Sequence, residues 1–283
     1  MKIAYCGYDF FHACLRELLQ QEHQILRVFS FSSNAPIDSY AYVKEICQQR
    51  KIPFTLQPIT SQDLEILASK QCDLLITAGY PHKIPDLAPY AMRGINVHPT
   101  LLPQGRGVWP LPWLILKDFS YSGVTLHRLS QQWDSGDILL QDRYEISARD
   151  NLESLSAKAQ ILATQLIRRC FSDFEQYWQN AQAQAQSAEY WPYPPAHYRY
   201  IDWRQTVAQI DKTCRAFGKA GSVASFDGKT WLVYDLVAWQ TAHDHECGSV
   251  VHKTNTEMVV AASDGLCSLR YFSLAPNDLQ KPR

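Results

Sequence analysis

Short apolar runs alternate with amphipathic stretches over the first half of the chain, as in a parallel sheet with crossover helices. The runs predicted as strands are KIAYCG, ILRVFSFS, PFTLQ, CDLLITAG, GINVH, SGVTLHRLS and DILLQDRYEIS. The stretches predicted as helices are FHACLRELLQQ, AYVKEICQQR, SQDLEILASK and WPLPWLILKD, followed by one long helix from Asn151 to about Gln186. We therefore predict an α/β, Rossmann-like domain with a mostly parallel sheet.

The pattern changes after this helix. The segment YWPYPPAHYRYIDW is rich in proline and aromatic residues, which is typical of an ordered linker. A helix, RQTVAQIDKTCRAFG, and short strands around SVASF, TWLVYDLVAW, GSVVHK, MVVAAS and LCSLRYF follow. Short strands separated by turn signals predict a small barrel. The predicted organisation is a catalytic domain over 1–186, a linker over 187–202 and a β-rich, OB-like domain over 203–283.

The segment GINVHPTLLPQGRG places Asn96 and His98 two residues apart at the end of a strand. Side chains alternate between the two faces of a strand, so these two point the same way. Ligands of open α/β sheets bind at the carboxyl ends of strands, and both GINVH and CDLLITAG end there in loops. The pair is therefore predicted to face a cleft.

A carboxylate that could reach this pair is Asp134 in WDSGD. An amide can hold an oxyanion, an imidazole can move a proton near neutral pH, and a carboxylate can orient that imidazole. An activated Ser or Cys nucleophile is not evident, which favours acyl transfer with attack by the substrate's own amine. Taken alone, Asn-x-His at the end of a strand is more often a turn-capping amide beside a hydrogen-bonded histidine.

Longer motifs change this picture. They are CGYDFF, AGYPHKIP, NVHPTLLPQGRG, GVTLHRL, DSGDILLQ and IDWRQTVAQIDKTCRAFG, which together extend over nearly the whole chain. The chain resembles the 10-formyltetrahydrofolate-dependent formyltransferases, which include methionyl-tRNA formyltransferase, part of the aminoarabinose enzyme, and sugar-nucleotide N-formyltransferases. The resemblance implies a catalytic triad of Asn96, His98 and Asp134, with 10-formyltetrahydrofolate as the formyl donor.

The resemblance also implies how these groups act. Formyl passes from N10 of the folate to an amine, and Asn96 with a protonated His98 would hold the formyl oxygen. Asp134 would orient His98 and raise its pKa, or take the amine proton through a water. Two loops would contact the pterin, largely through backbone. Their residues are Gly79, Tyr80, Pro81, His82, Lys83 and Ile84 in one loop, and Ser135, Gly136 and Asp137 in the other.

Candidates for binding the acceptor are Arg106, Gly107, Trp109 and Tyr193. Arg106 would either grip a phosphate or brace its loop. Trp109 and Trp113 replace the smaller residues usual at this point of the family, so acceptor specificity is expected there. His127 is interpreted as a packed or surface histidine. The linker aromatics would either pack between domains or stack on a base, with packing favoured; they are Trp191, Tyr193, Tyr198 and Tyr200.

Charge separates the candidate acceptors. The net charge is −1, and residues 200–283 hold nine Lys and Arg against nine Asp and Glu. A tRNA binder needs a basic surface, and FSSNAPIDSYAYVKEI after the second strand lacks the tRNA enzyme's basic insertion. Nucleic acid is therefore disfavoured. The GVTLHRL strand and the short loop after the second strand resemble the aminoarabinose and sugar-nucleotide branch of the family, so we favour a nucleotide-linked amino sugar of the kind used in lipopolysaccharide O-antigen biosynthesis. Methionyl-tRNA, another metabolite amine such as a siderophore or peptide precursor, and a non-catalytic folate-binding homologue stay open.

Cysteine and hydropathy patterns bound the remaining possibilities. The eight cysteines form no CxxC pair and have no histidine at metal-ligand spacing, so we expect reduced thiols and no metal. No segment approaches the ~20 apolar residues of a membrane span, and the N-terminus lacks a cleavable signal. The expected protein is cytoplasmic with no membrane partner. The sequence leaves the oligomeric state open, including a homodimer.

Overall fold

The computed structural model describes residues 1–32, 39–185 and 188–276. Contacts between Cα atoms divide the chain into two compact units. The first comprises Met1–Pro110, Tyr121–Glu145 and Ser156–Trp191, and the second comprises Leu111–Ser120, Ile146–Leu155 and Pro192–Arg283. The domain boundaries at 186 and 202 stay a prediction.

A seven-stranded sheet forms the centre of the first unit. Its strands are β1 (Lys2–Gly7), β2 (Gln24–Phe29), β3 (Phe54–Thr55), β4 (Leu74–Ala78), β5 (Arg93–His98), β6 (Tyr121–Arg128) and β7 (Ile138–Glu145). They lie in the order β3-β2-β1-β4-β5-β6-β7. The first five are parallel, whereas β6 and β7 pair antiparallel, so the prediction of a mostly parallel sheet is confirmed.

Helices cover both faces of this sheet. They are α1 (His12–Gln20), α2 (Ala41–Arg50), α3 (Ser61–Ser69) and most of α5 (Leu152–Ser172), whereas α4 (Leu111–Leu116) belongs to the second unit. One core packs alternate strand residues against α1, α2 and α5, and the other packs the intervening residues against α3. Ile95 and Val97 belong to the first core. Asn96 and His98 therefore point to the opposite face, as the strand alternation predicts.

The long helix predicted from Asn151 to about Gln186 is wrong in its C-terminal part. The helix α5 ends at Ser172, and α6 (Phe174–Gln179) begins after a break at Asp173. The break occurs where the Asp173 side chain accepts a hydrogen bond from the Gln176 backbone and caps α6. Gln182 then pairs its backbone with Ile138 through two hydrogen bonds, so the AQAQ stretch is extended there. Gln186 itself lies outside the described residues.

The second unit contains a six-stranded sheet and α7 (Val207–Phe217), which begins with a capping box at Thr206. Its strands are β8 (Tyr200–Ile201), β9 (Ser222–Phe226), β10 (Lys229–Gln240), β11 (Val250–Lys253), β12 (Met258–Ala261) and β13 (Gly265–Leu274). They lie in the order β11-β12-β13-β10-β9-β8, and all pairs are antiparallel except β8 with β9. The prediction of a β-rich second part is confirmed, whereas barrel closure stays a prediction.

Three further features concern groups that the sequence singled out. All eight cysteines are free thiols, and seven of them are buried. Within the described ranges, no three His, Cys, Asp or Glu side chains come together as a metal site. None of the helices in these ranges has both the length and the apolar character needed to cross a membrane. The loop after β2, where a basic insertion was judged absent, lies partly outside the described residues, at 33–38.

Candidate active site

A row of polar side chains crosses three adjacent strands on one face of the sheet. The strand register pairs Thr77 of β4 with Asn96 of β5, and Asn96 with His127 of β6. The Thr77 hydroxyl donates to Asn96 Oδ1 at 2.7 Å, and Asn96 Nδ2 lies 3.0 Å from His127 Nε2. Asn96 is half-buried, whereas Thr77 and His127 are buried. The row therefore holds the Asn96 amide on both sides and leaves part of it accessible.

The Asp134 carboxylate lies at the centre of the site. Its Oδ1 is 3.3 Å from Asn96 Nδ2, 3.5 Å from His98 Nδ1 and 3.7 Å from His127 Nε2. Its Oδ2 accepts a 2.9 Å hydrogen bond from the Gly107 backbone N–H. Asp134 has a φ of 53°, in the left-handed region that Asp tolerates better than most residues. The structure thus brings together the three residues predicted as catalytic.

Burial and charge act in opposite directions on these groups. Burial alone would raise the pKa of Asp134, but the attraction of an imidazolium on His98 and the hydrogen bond from the Gly107 N–H act in the opposite direction, and that pKa lies well below its usual range. Asp134 is therefore a carboxylate at neutral pH. Burial lowers the pKa of His98, and the attraction of Asp134 only partly offsets this effect.

The pKa of His98 is therefore lowered in the free site and not raised as expected, whereas the protonated His98 expected during the reaction stays a prediction. Asp134 does favour the imidazolium, as predicted, but the desolvation of a side chain only 5% exposed is the larger effect. His98 Nε2 lies 2.8 Å from the Gly105 carbonyl, so it carries the proton and donates. The other ring nitrogen, Nδ1, faces Asp134 Oδ1 at 3.5 Å.

Gln184 holds the loop that carries Arg106. Gln184 Oε1 accepts from Arg106 Nε at 3.1 Å and from Nη2 at 2.6 Å. Gln184 Nε2 donates to the backbone carbonyls of Asp134 at 2.9 Å and Gly136 at 2.7 Å. Arg106 therefore braces its loop, which was one of its two predicted roles. Its grip on a phosphate stays a prediction.

Gly107 lies where a larger residue could not fit. It has a φ of 134°, and a Cβ at this position would lie 2.0 Å from the Trp191 carbonyl oxygen. The backbone N–H of Trp191 in turn donates to the Arg106 carbonyl at 2.7 Å. Trp191 is 1% exposed, so it packs against this loop, as favoured for the linker aromatics.

The loop at 79–84 follows β4 and presents its backbone outwards. Gly79 has a φ of 72°, and a Cβ at this position would lie 2.5 Å from a Tyr8 ring carbon. Tyr80 is buried and its hydroxyl accepts from the Ile59 N–H at 3.1 Å, while burial raises its pKa to about 12. Gly79, Pro81 and Lys83 are exposed, whereas His82 and Ile84 are half-buried. The assignment of Gly79, Tyr80, Pro81, His82, Lys83 and Ile84 to the folate stays a prediction.

In the second predicted folate loop, residues 135–137, the side chains bond to neighbouring protein groups. Ser135 Oγ donates to the Gln132 carbonyl at 3.0 Å, and Asp137 accepts from Arg128 Nη1 at 2.9 Å. A Cβ on Gly136 would lie 2.0 Å from the Arg128 carbonyl oxygen. These contacts leave backbone groups as the predicted folate contacts. The assignment of Ser135, Gly136 and Asp137 to folate stays a prediction.

The remaining acceptor candidates are placed less specifically. Trp109 is half-buried in the first unit, and Tyr193 is 57% exposed in the second. Trp113, within the second unit, donates from Nε1 to the Pro192 carbonyl at 2.7 Å and packs edge-on against Tyr198. Trp113 is thus a packing residue, and Trp109 and Tyr193 stay predictions.

Sequence reasoning missed three residues that hold the triad. His127 was interpreted only as packed or surface, and it is packed, but against Asn96. Thr77 and Gln184 were not singled out. The position of His127 opposite Asn96 follows from the β5–β6 register, which the sequence does not specify. Gln184 had no signal, because it lies in a stretch interpreted as helix.

Comparison with known proteins shows the family. Residues 1–170 match the family described as Formyl transferase, and residues 196–279 match Formyl transferase, C-terminal domain. The chain belongs to the formyl transferase family. It is 26% identical over 286 aligned residues to methionyl-tRNA formyltransferase of Coxiella burnetii (strain RSA 331 / Henzerling II), covering 97% of this chain and 91% of that protein. It is 36% identical over 141 residues to methionyl-tRNA formyltransferase of Prochlorococcus marinus subsp. pastoris, over 47% and 42% of the two chains.

Solved structures give the same fold. HypX from Aquifex aeolicus matches with a TM-score of 0.75 and 19% identity over 98% of this chain, which spans only 45% of HypX. An N-formyltransferase from Helicobacter canadensis, solved with folinic acid and dTDP-3-aminofucose, matches with a TM-score of 0.68 and 16% identity, over 96% and 100% of the two chains. The predicted enzyme class, a tetrahydrofolate-dependent N-formyltransferase with 10-formyltetrahydrofolate as donor, is confirmed.

Proposed function

We propose that this formyltransferase transfers its formyl group to the primary amine of a small substrate, and that this substrate is a nucleotide-linked amino sugar. The observation that carries the chemical part is the cluster around Asp134 Oδ1, where three nitrogens from Asn96, His98 and His127 lie within 3.7 Å. An amide, a neutral imidazole and a carboxylate suit direct attack by an amine, without a covalent enzyme intermediate.

The groups divide the work as follows. The acceptor nitrogen bonds to the formyl carbon, and the bond from that carbon to N10 breaks. One proton of the amine passes to N10. As the formyl oxygen gains charge, an N–H of the half-buried Asn96 stabilises it. His98 takes up the amine proton at Nδ1, where the ionised Asp134 at 3.5 Å stabilises the imidazolium. The same proton is then available to N10.

This assignment predicts the acid side of the pH profile. Because burial lowers the pKa of His98 below its ordinary value of about 6.5, the neutral base persists through neutral pH, and kcat/KM should fall only at lower pH. In Asp134→Asn the fall should move to still lower pH, because the carboxylate that favours the imidazolium is gone. Initial rates measured from neutral pH downwards test this. A fall centred above about 6.5, or an upward shift in the variant, would exclude His98 as the base.

The charge distribution of the second unit supports a small acceptor. Four of its cations lie within 3.2 Å of carboxylates of the same unit; the pairs are Arg204–Asp202, Lys212–Asp118, Arg215–Asp211 and Lys253–Asp227. Arg199 donates to the carbonyls of Ala220 and Gly221. A nucleic acid would have to displace these partners to bind its phosphates, whereas a single diphosphate needs only one or two cations.

Arg106 fits the role of that cation. Its partner Gln184 is neutral and occupies two of its nitrogens, Nε and Nη2, so the guanidinium keeps its charge and further N–H donors. It lies near enough to His98 to lower the pKa of that imidazole further. A phosphate on Arg106 would therefore hold an acceptor beside the triad. This is the geometry that a nucleotide-linked amino sugar needs.

Methionyl-tRNA is the second candidate acceptor, and one observation favours it. The relative from Coxiella burnetii, named methionyl-tRNA formyltransferase, aligns over 97% of this chain, including the second unit. The structural neighbour from Helicobacter canadensis, solved with dTDP-3-aminofucose, favours the sugar instead, also over nearly the whole chain. The two candidates differ in the number of phosphates that the protein must contact.

Salt dependence separates them. Nucleotide-linked 3-amino and 4-amino sugars should be formylated with a KM that changes little between about 50 and about 200 mM salt, because few phosphates are contacted. A tRNA held through many phosphates would lose ~10³-fold in affinity over the same range. Side-by-side assays with charged initiator tRNA decide the matter. Efficient tRNA formylation with every sugar inert would reverse the proposal, and failure of both would favour another metabolite amine.

A further inference from the structure

We infer that His127 is a positioning residue that fixes the Asn96 amide for the formyl oxygen; this inference rests on the proposed catalytic role of Asn96. His127 is 1% exposed and stands opposite Asn96 in the β5–β6 register. Its Nε2 lies 3.0 Å from Asn96 Nδ2, the shortest contact of that nitrogen in the cluster. A buried imidazole therefore touches the group proposed to stabilise the developing charge.

The partners determine which atoms carry protons. An ionised Asp134 can only accept hydrogen bonds, so the Asn96 atom 3.3 Å from its Oδ1 must be the nitrogen of the NH₂ group. The oxygen of the same amide, Asn96 Oδ1, then accepts from the Thr77 hydroxyl. His127 Nδ1 lies 2.8 Å from the Arg128 carbonyl and must donate to it. Its Nε2 faces an N–H donor and must accept. His127 is thus held as the tautomer with its proton on Nδ1.

This hydrogen-bond pattern gives the two N–H bonds of Asn96 different tasks. One N–H points to His127 Nε2 at 3.0 Å, and the other meets Asp134 Oδ1 at the longer distance of 3.3 Å. We assign the formyl oxygen to the N–H that faces Asp134, because the shorter contact with His127 Nε2 holds the other N–H. The bond to His127 then keeps the amide from rotating. His127 acts on the reaction through Asn96 and does not itself contact the formyl group.

The imidazole is itself held rigidly by the next residue. Arg128 donates from Nη1 to Asp137 at 2.9 Å and from Nη2 to the Trp178 carbonyl at 2.5 Å, and its guanidinium lies 4.5 Å from the Trp178 ring centroid. Its backbone N–H also donates to the Asp137 carbonyl at 2.8 Å. The carbonyl that receives His127 Nδ1–H is therefore fixed from several sides.

Two substitutions separate positioning of Asn96 from simple bracing of Arg128. His127→Gln keeps an acceptor near the Nε2 position, and His127→Asn keeps a donor near the Nδ1 position. If His127 positions Asn96, kcat of His127→Asn should be roughly 10- to 100-fold below that of the wild type, with the KM for the formyl donor little changed. The kcat of His127→Gln should stay close to that of the wild type. Full activity in His127→Asn with loss in His127→Gln would overturn the inference.

The tautomer provides a readout that needs no acceptor. In ¹⁵N-histidine-labelled protein, the resonance lost in His127→Gln should show a protonated Nδ1 and an unprotonated Nε2 at neutral pH. In Asn96→Ala the Nε2 signal should shift, because its hydrogen-bond donor is removed. A protonated Nε2 in the wild type would overturn the inference even if formyl transfer is demonstrated. Conversely, a wild type that formylates no acceptor but has this tautomer would overturn the proposed function alone.

Discussion

The substitution His98→Ala is expected to lower the turnover number by at least two orders of magnitude. His98 Nδ1 lies 3.5 Å from Asp134 and takes up the amine proton in the proposed reaction, and general base catalysis contributes about 10²- to 10⁴-fold. Asp134→Asn should produce a loss of similar size, because the imidazolium that forms on His98 is no longer stabilised. Single-turnover rates at saturating donor and acceptor measure the effect on the chemical step.

Matched controls keep this prediction specific. His252→Ala removes an exposed histidine of β11, and Asp142→Asn removes a surface carboxylate paired with Arg169. Both should retain near wild-type turnover, because neither residue belongs to the Asp134 cluster and an exposed ion pair contributes little to stability. Donor binding and the melting temperature of His98→Ala should stay close to those of the wild type. Near-normal turnover in either triad variant would refute the proposed mechanism.

The second large effect is expected at Gly107. In Gly107→Ala the new methyl group would lie 2.0 Å from the Trp191 carbonyl oxygen, at a φ of 134° that side chains rarely adopt. The contact between the Arg106 loop and the Trp191 segment must open, at a cost of at least about 2 kcal/mol. The Gly107 N–H would also move from Asp134 Oδ2, so turnover should fall with stability.

Gly228→Ala is the control for backbone strain alone. Gly228 also has a positive φ, of 67°, but a Cβ there meets nothing within 4 Å. Gly228→Ala should lower the free energy of unfolding by roughly 1–2 kcal/mol, the cost of a side chain in the left-handed region, and should leave turnover unchanged. Thermal unfolding of both variants, followed beside the wild type, makes the comparison. Equal melting temperatures for the two variants would show that the Trp191 contact does not constrain Gly107.

Much of the fold could be predicted because the cores impose a simple period on the chain. Each buried strand reads as an apolar run, and the alternation in GINVH put Ile95 and Val97 in one core and Asn96 and His98 on the other face. The helix predicted from Asn151 extended too far for a physical reason. Residues such as Ala and Gln favour helix, but the cap at Asp173 and the pairing of Gln182 with Ile138 override that preference.

The site was predicted less completely, because the residues that hold the triad come from chain segments far apart in the sequence. The triad residues were found from their chemistry and their resemblance to the family. The placement of His127 depends on how β6 registers against β5, and that of Gln184 on a segment folding back to Asp134. The lowered pKa of His98 was missed because the depth of its burial is not visible in the sequence, while the nearby carboxylate is.

The central claim is that this chain moves a formyl group from folate to an amine on a nucleotide-linked sugar through the Asn96, His98 and Asp134 cluster. The most direct test supplies 10-formyltetrahydrofolate with an isotopically labelled formyl carbon and a dTDP-linked 3-amino or 4-amino sugar, and follows the product by mass spectrometry. We predict one labelled formyl group on the amino sugar and tetrahydrofolate in equal amount, with the signal lost in Asp134→Asn. Label that stays on the folate with every amino sugar, but appears on charged initiator tRNA, would contradict the account.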